Sequence, residues 1–157
     1  MRKTLESGAL LLLLFALVNT VRAVWGRNSL PAQIPTHFNA AGQPDAWGTP
    51  GMLWVLPIVA AVIYLLMTLV GRYPGAFNFP MRTTPAARRQ LETIALNLIA
   101  WLKLEVIGLF AWIQYETVQL ARRGQGTLPT LFLPAVIVAV FGTIAWHIAA
   151  MRRVARA

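Results

Sequence analysis

Pro31-Ala-Gln-Ile-Pro-Thr-His-Phe-Asn-Ala-Ala-Gly-Gln-Pro-Asp-Ala-Trp47 is the one dense polar stretch in an otherwise apolar chain. Proline, histidine, asparagine, glycine, aspartate and tryptophan fall between two long apolar runs. Turn-forming residues placed between two apolar runs read as the connection between membrane spans. Composition agrees. Of 157 residues, 57% are hydrophobic and only 12% are charged, against about a quarter charged in a soluble domain. At this length one membrane domain, 1–157, is the natural count.

Working outward from the loop at 26–51, four apolar segments are long enough to cross about 30 Å of hydrocarbon, which takes roughly 20 residues. They run at about 8–25, 52–70, 94–115 and 128–151. The expected fold is therefore all-α and integral to the membrane, with four transmembrane helices and a small external hairpin-like loop between the first two. Arg2 and Lys3, an apolar run, and Val21-Arg22-Ala23 also resemble a signal peptide with a small-residue cleavage site. An Arg immediately before the cut argues against cleavage, so the segment reads as a true span.

The net charge of +9 would suggest nucleic acid in a soluble protein. Here the basic residues sit at the ends of apolar runs, where membrane topology accounts for them. No nucleic-acid partner is expected. Arg2, Lys3, Arg72, Arg82, Arg88, Arg89, Arg152, Arg153 and Arg156 fall on one side, and only Arg22, Arg27, Arg122 and Arg123 on the other. This asymmetry predicts both termini in the cytoplasm and the 26–51 loop outside, in a bacterial cytoplasmic (inner) membrane. Trp25, Trp54 and Trp112 fall near span ends, as interfacial aromatics should. The basic inner loop, Arg72 to Arg89, reads as a topology determinant that also attracts anionic lipid heads.

Within the loop, Asn39-Ala-Ala-Gly42 fits a turn, with Asn first and Gly fourth. The flanks then pair as short strands, about Ile34–Phe38 against Gln43–Trp47. Ile34, Thr36 and Phe38 go to one face, Pro35 and His37 to the other. Pro31, Pro35, Pro44 and Pro50 stiffen the ends and block extension of the ladder. The loop is expected to rest as a small cap on the outer surface. Phe38 and Trp47 enter the interface while His37, Asn39 and Asp45 face water or one another.

The pattern P-x-x-I-P-x-H-F-N-x-x-G-x-x-D-x-W-G, from Pro31 to Gly48, resembles the membrane family called domain of unknown function 1648. That domain also forms the N-terminal part of the immunity protein against the sporulation-delaying toxin. Similarity continues more weakly through Phe77-Asn78-Phe79-Pro80 and the third span. The chain departs from the pattern at Pro50, where a basic residue is expected. It is also expected to lack the longer C-terminal portion of the immunity proteins. The resemblance implies a small multi-span membrane protein, with members linked to toxin immunity or signalling, and supplies no catalytic residues. Pro35, Phe38, Gly42, Asn78 and Pro80 are its expected structural positions.

No disulfide or cysteine-ligated metal site is possible, because the chain has no cysteine. His37, Asn39 and Asp45 offer one strong nitrogen donor, where a metal site needs three or four protein ligands. A general base would need a substrate-positioning partner within reach. The leading expectation is a hydrogen-bond network that holds the hairpin, followed by contact with a ligand or partner. No cofactor, metal or catalytic residue is assigned.

The third span is the polar one, carrying Asn97, Lys103, Glu105 and Gln114. A central Lys or Asp costs about 2.5–3.5 kcal/mol on insertion scales. Lys103 and Glu105 lie two apart and point to nearly opposite sides. Asn97, Trp101, Glu105, Gly108 and Trp112 share one face; Lys103 and Gln114 share the other. One face is expected to meet the chain's own bundle and the other a partner subunit or a cavity; a snorkelling Lys103 and a protonated Glu105 are the alternative. Tyr64 is expected level with Glu105, and His147 with Asn97. Interhelical hydrogen bonds are favoured there over a proton or ion path through Glu105, Tyr64 and His147.

The expected function is a non-enzymatic accessory, immunity-type or signalling module acting through a membrane partner or through self-association. The expected binding positions are His37, Asn39, Asp45, Trp47, Lys103 and Glu105. The alternative is a small transporter or ion-conducting homo-oligomer that uses the polar third span. A membrane hydrolase ranks third, for want of a nucleophile–base pair.

Overall fold

The computed structural model describes residues 1–26, 30–79 and 84–156. Arg27, Pro80 and Arg82, which figure in the sequence reading, lie outside them. Helix α1 spans Arg2–Trp25, strands β1 and β2 span Ile34–Phe38 and Pro44–Gly48, and α2 spans Val55–Val70 after a 3-10 turn at Pro50–Trp54. Helix α3 spans Pro85–Arg123 and α4 spans Phe132–Arg156. All four helical segments are long and apolar enough to cross a membrane. The chain is thus a four-helix, multi-pass membrane protein with one small hairpin between its first two spans.

All four helices differ in extent from the sequence expectation, α2 least, by its start at Val55. Helix α1 begins at Arg2 and so takes in Glu6. Helix α3 has 39 residues, about 58 Å at 1.5 Å per residue, and projects well beyond the hydrocarbon. Its start follows from Thr84, whose hydroxyl caps the Ala87 amide at 3.2 Å, and from Pro85 in the first turn. Its end follows from Gly124, which takes the left-handed conformation (φ 72°). Helix α4 starts at Phe132, after Pro129, and leaves Leu128 in the connecting loop. Pro50, at the departure from the family pattern, opens the 3-10 turn that leads into α2.

Helix α3 is the axis of the molecule. Its buried residues include Lys103, Ile107, Ala111, Gln114, Val118 and Ala121, which recur at intervals of four or three. Those of α1 do the same: Leu5, Ala9, Leu13, Ala16, Thr20 and Ala23. The two seams pack against each other. The alanines let the backbones approach closely, which is how helices associate in lipid, where the hydrophobic effect gives no drive. Leu13 and Ala60 close on Ile107, with Tyr64 and Phe110 against them. Toward the hairpin, Ala23, Ile34, Leu53, Val118 and Ala121 form a second cluster. Helix α4 lies outside this core: 6% of its span is buried within the molecule, against 28% for α1.

Candidate functional site

The hairpin is built around Asn39 and Gly42. The Gly42 amide donates to the Asn39 carbonyl at 2.8 Å, and the Asn39 side-chain oxygen accepts from the amides of Ala41 and Gln43. This is a type I turn closed by a left-handed residue, Gly42 at φ 76°. The strands pair antiparallel, with irregularities on either side of His37. The second strand is Pro44–Gly48, one residue later than expected, because Gln43 belongs to the turn. His37 Nδ1 and Asp45 Oδ1 lie 2.6 Å apart, and both side chains are largely in the open.

The hairpin does not lie loose as a cap. The Leu128 amide donates to the Gly42 carbonyl at 2.8 Å, which ties the turn to the α3–α4 loop. Ile34 is fully buried and Phe38 half-buried, whereas Trp47 remains exposed. Beneath the hairpin lies a cavity of about 570 Å³. Ile34, His37 and Phe38 form its roof, Met52 and Leu56 one wall, and Phe132 another. Gln114 and Thr117 are its polar floor. Trp25 and Trp54 meet at 5.4 Å, and Trp112 stacks on Phe132 at 3.9 Å, at this end of the bundle.

Lys103, Gln114 and one oxygen of Glu105 find partners within the chain, whereas Glu105 Oε2 is buried without one among the described residues. The Lys103 ammonium is fully buried and donates to Glu6 Oε2 at 2.6 Å and to Thr68 Oγ1 at 2.8 Å. It also sits 4.8 Å above the centre of the Tyr64 ring. Its recorded partners all lie on α1 and α2. About 16 Å further along α3, Gln114 donates to Thr20 at 2.8 Å on the same seam. The sequence reading assigned one face of this helix to a partner subunit or cavity. In the structure the Lys103 and Gln114 face meets α1 and α2 and the Glu105 face meets α4, and Gln114 also borders the cavity beneath the hairpin.

Lys103 lies in the middle of α3 but meets its partner helices near their ends. It is bound five residues into Arg2–Trp25 and two from the end of Val55–Val70, so it lies toward the end of the bundle opposite the hairpin. Tyr64 accordingly serves Lys103, not Glu105. Glu105 Oε1 accepts from the Thr143 hydroxyl at 2.5 Å, and His147 Nδ1 meets the Thr143 carbonyl at 2.8 Å. Glu105, Tyr64 and His147 therefore do not form one path. Among the described residues no three His, Asp or Glu side chains gather as metal ligands.

Asn78 is exposed. Its segment is held by Arg88, whose guanidinium donates to the carbonyls of Gly75 and Phe77 and pairs with Glu92. Sequence reasoning passed over Glu6, Thr68 and Thr143. The signal for Glu6 was present: a buried Lys needs a carboxylate, and the chain has only five acidic residues.

Residues 14–61 match the family model described as Domain of unknown function (DUF1648), the family that the Pro31–Gly48 pattern led us to expect. An uncharacterized protein of Archaeoglobus fulgidus is 38% identical over 61 residues, which are 34% of this chain and 33% of that protein. The chain thus spans about a third of the relative's length. No solved structure matches the chain.

Proposed function

We propose that this chain is a non-enzymatic membrane accessory module, of the immunity or signalling type, that acts through a membrane partner. The observation that supports this reading is the cavity beneath the hairpin. Its roof is made by the motif of the matched region and its walls by the spans. Such a site takes an apolar segment that presents a polar group to His37, Asn39 or Gln114. An ion-conducting homo-oligomer draws less support, because the Lys103 ammonium is spent on Glu6 and Thr68 of the same chain and one Glu105 oxygen on Thr143, while Glu105 Oε2 is buried without a partner among the described residues.

The proposal places the protein in a bacterial cytoplasmic membrane, with the hairpin outside and both termini inside. The native chain has no cysteine, so single cysteines report the orientation. Thr36→Cys should react with an impermeant reagent on intact cells and Tyr73→Cys should not; the reverse pattern would invert the assignment.

The partner site is tested with a photo-crosslinking residue at Leu56, in the cavity wall, and at Val138, on the exposed face of α4. The expected product is one discrete hetero-adduct from position 56, abolished by Phe132→Trp filling of the cavity. Adducts only between copies of the chain would overturn the module reading in favour of the homo-oligomer.

A further inference from the structure

At the end of the bundle opposite the hairpin lies a second cavity, of about 430 Å³, that the function above does not use. Arg2 and Lys3 line it from the first turn of α1, and Arg72 lines it from just past α2. Glu6 and Thr68, the partners of Lys103, also line it. The carboxylate of Glu6 would repel an anion, but the Lys103 ammonium 2.6 Å away cancels its charge. Arg2, Lys3 and Arg72 themselves have no carboxylate within ion-pair distance among the described residues. The lining is therefore cationic on balance.

Two further observations give the ligand its character. Helix α1 starts without a side-chain cap and without an acid in its first turn. Its free amides and the positive end of its dipole thus lie beside the cavity. Ser7 and Gly71 complete the polar side, Leu96 and Ile99 of α3 supply an apolar wall, and the adjoining Leu69 and Val70 of α2 stand half-exposed. A cationic recess that runs into a greasy helix surface at the end of membrane spans fits an amphiphile with an anionic head. Basic pockets between transmembrane helices bind such headgroups.

We infer that this recess is a binding site for an anionic glycerophospholipid, with its phosphate among Arg2, Lys3 and Arg72 and an acyl chain along Leu96, Ile99 and Leu69. The site lies at the opposite end from the cavity of the proposed function and stands or falls independently of it.

The test uses the full chain in neutral detergent, with dioleoyl phosphatidylglycerol, dioleoyl phosphatidylcholine and inorganic phosphate added separately. Native mass spectrometry and thermal unfolding are the readouts. Phosphatidylglycerol should stay bound and raise the melting temperature, while the other two should not. Replacing Arg2, Lys3 and Arg72 together by Gln should weaken phosphatidylglycerol binding on the order of a hundredfold. Replacing Arg152, Arg153 and Arg156 by Gln removes equal charge from α4 and should leave binding intact. Equal weakening in both sets would mean diffuse attraction and overturn the site. Stabilisation by inorganic phosphate alone would overturn the lipid in favour of a soluble anion. Should the triple variant fail to fold, Arg72→Gln and Arg72→Lys ask the same question. Loss with Gln and retention with Lys supports the site, and equal loss refutes it.

Discussion

Two acid–base pairs in this molecule have the same length and opposite surroundings. His37 and Asp45 lie 2.6 Å apart in the hairpin, with 68% and 42% of their side chains exposed. Lys103 and Glu6 also lie 2.6 Å apart, but Lys103 is 0% exposed and Glu6 33%. Distance alone would rank them equal. Water competes for the first pair, and exposed pairs are worth about 0–1 kcal/mol. For the second, taking away one partner strands a charge where water cannot reach it, at about 3–5 kcal/mol. The hairpin pair can be spared by the fold, whereas the buried pair is a condition of it.

The largest expected effect follows from that asymmetry. Glu6→Leu should destabilise the detergent-solubilised protein by about 3 kcal/mol, the lower end of the range because Glu6 is partly wet. Lys103→Leu should cost much less, since it removes a cation that was expensive to insert and leaves a carboxylate that water can reach. Glu6→Leu with Lys103→Leu should recover most of the loss. Chemical unfolding of the three variants measures the coupling. Additive losses would break the comparison, for they would mean that the two side chains do not depend on each other.

Gly42→Val comes next. The backbone there has φ 76°, which costs a non-glycine residue about 1–3 kcal/mol. A side chain would also press against the Leu128 carbonyl, 2.5 Å from where a Cβ would stand. The hairpin should then detach from the α3–α4 loop. Faster amide exchange at Leu128 and a lowered melting temperature would show it. An unchanged Leu128 amide would remove the docking contact from the account.

The two ends of the molecule also differ in how far they can be read from sequence. The hairpin's polar contacts span two to eight residues, so turn chemistry at Asn39 and Gly42 places them. The Lys103–Glu6 pair spans 97 residues. The 3.6-residue period grouped Lys103 with Gln114 on one face but could not say which helix that face meets. That depends on the alanines of α1, whose spacing invites α3 to approach, and on the start of α1 at Arg2. The cavity beneath the hairpin was equally hidden. It needs Leu128 and Phe132 brought to the hairpin, where Leu128 bonds Gly42, and the length of α3 sets where they arrive.

Gln114→Leu separates burial from charge. The residue is as buried as Lys103 but neutral, and its partner Thr20 also donates to the Ala16 carbonyl at 2.9 Å. Interhelical hydrogen bonds of this kind average about 0.6 kcal/mol, with a maximum near 1.7. The substitution nearly conserves volume, so the loss should stay within that range. A loss matching that of Glu6→Leu would show that burial, not charge, separates the two ends.

The smallest expected effect is that of His37→Ala. Its partner Asp45 would remain in water, where an unpaired carboxylate costs little, and the Asn39 turn would keep its own hydrogen bonds. The expected change in stability is about 0–1 kcal/mol. Yet His37 lines the cavity, so its removal changes what that cavity presents to a partner. A variant that unfolds like the native chain but no longer yields the hetero-adduct from position 56 would locate the use of this pair in binding. If the adduct forms undiminished, His37 takes no part in recognition, and the cavity acts through its apolar walls and Gln114. A loss of stability as large as that of Glu6→Leu would defeat the comparison itself, since a pair open to water would then be holding the fold.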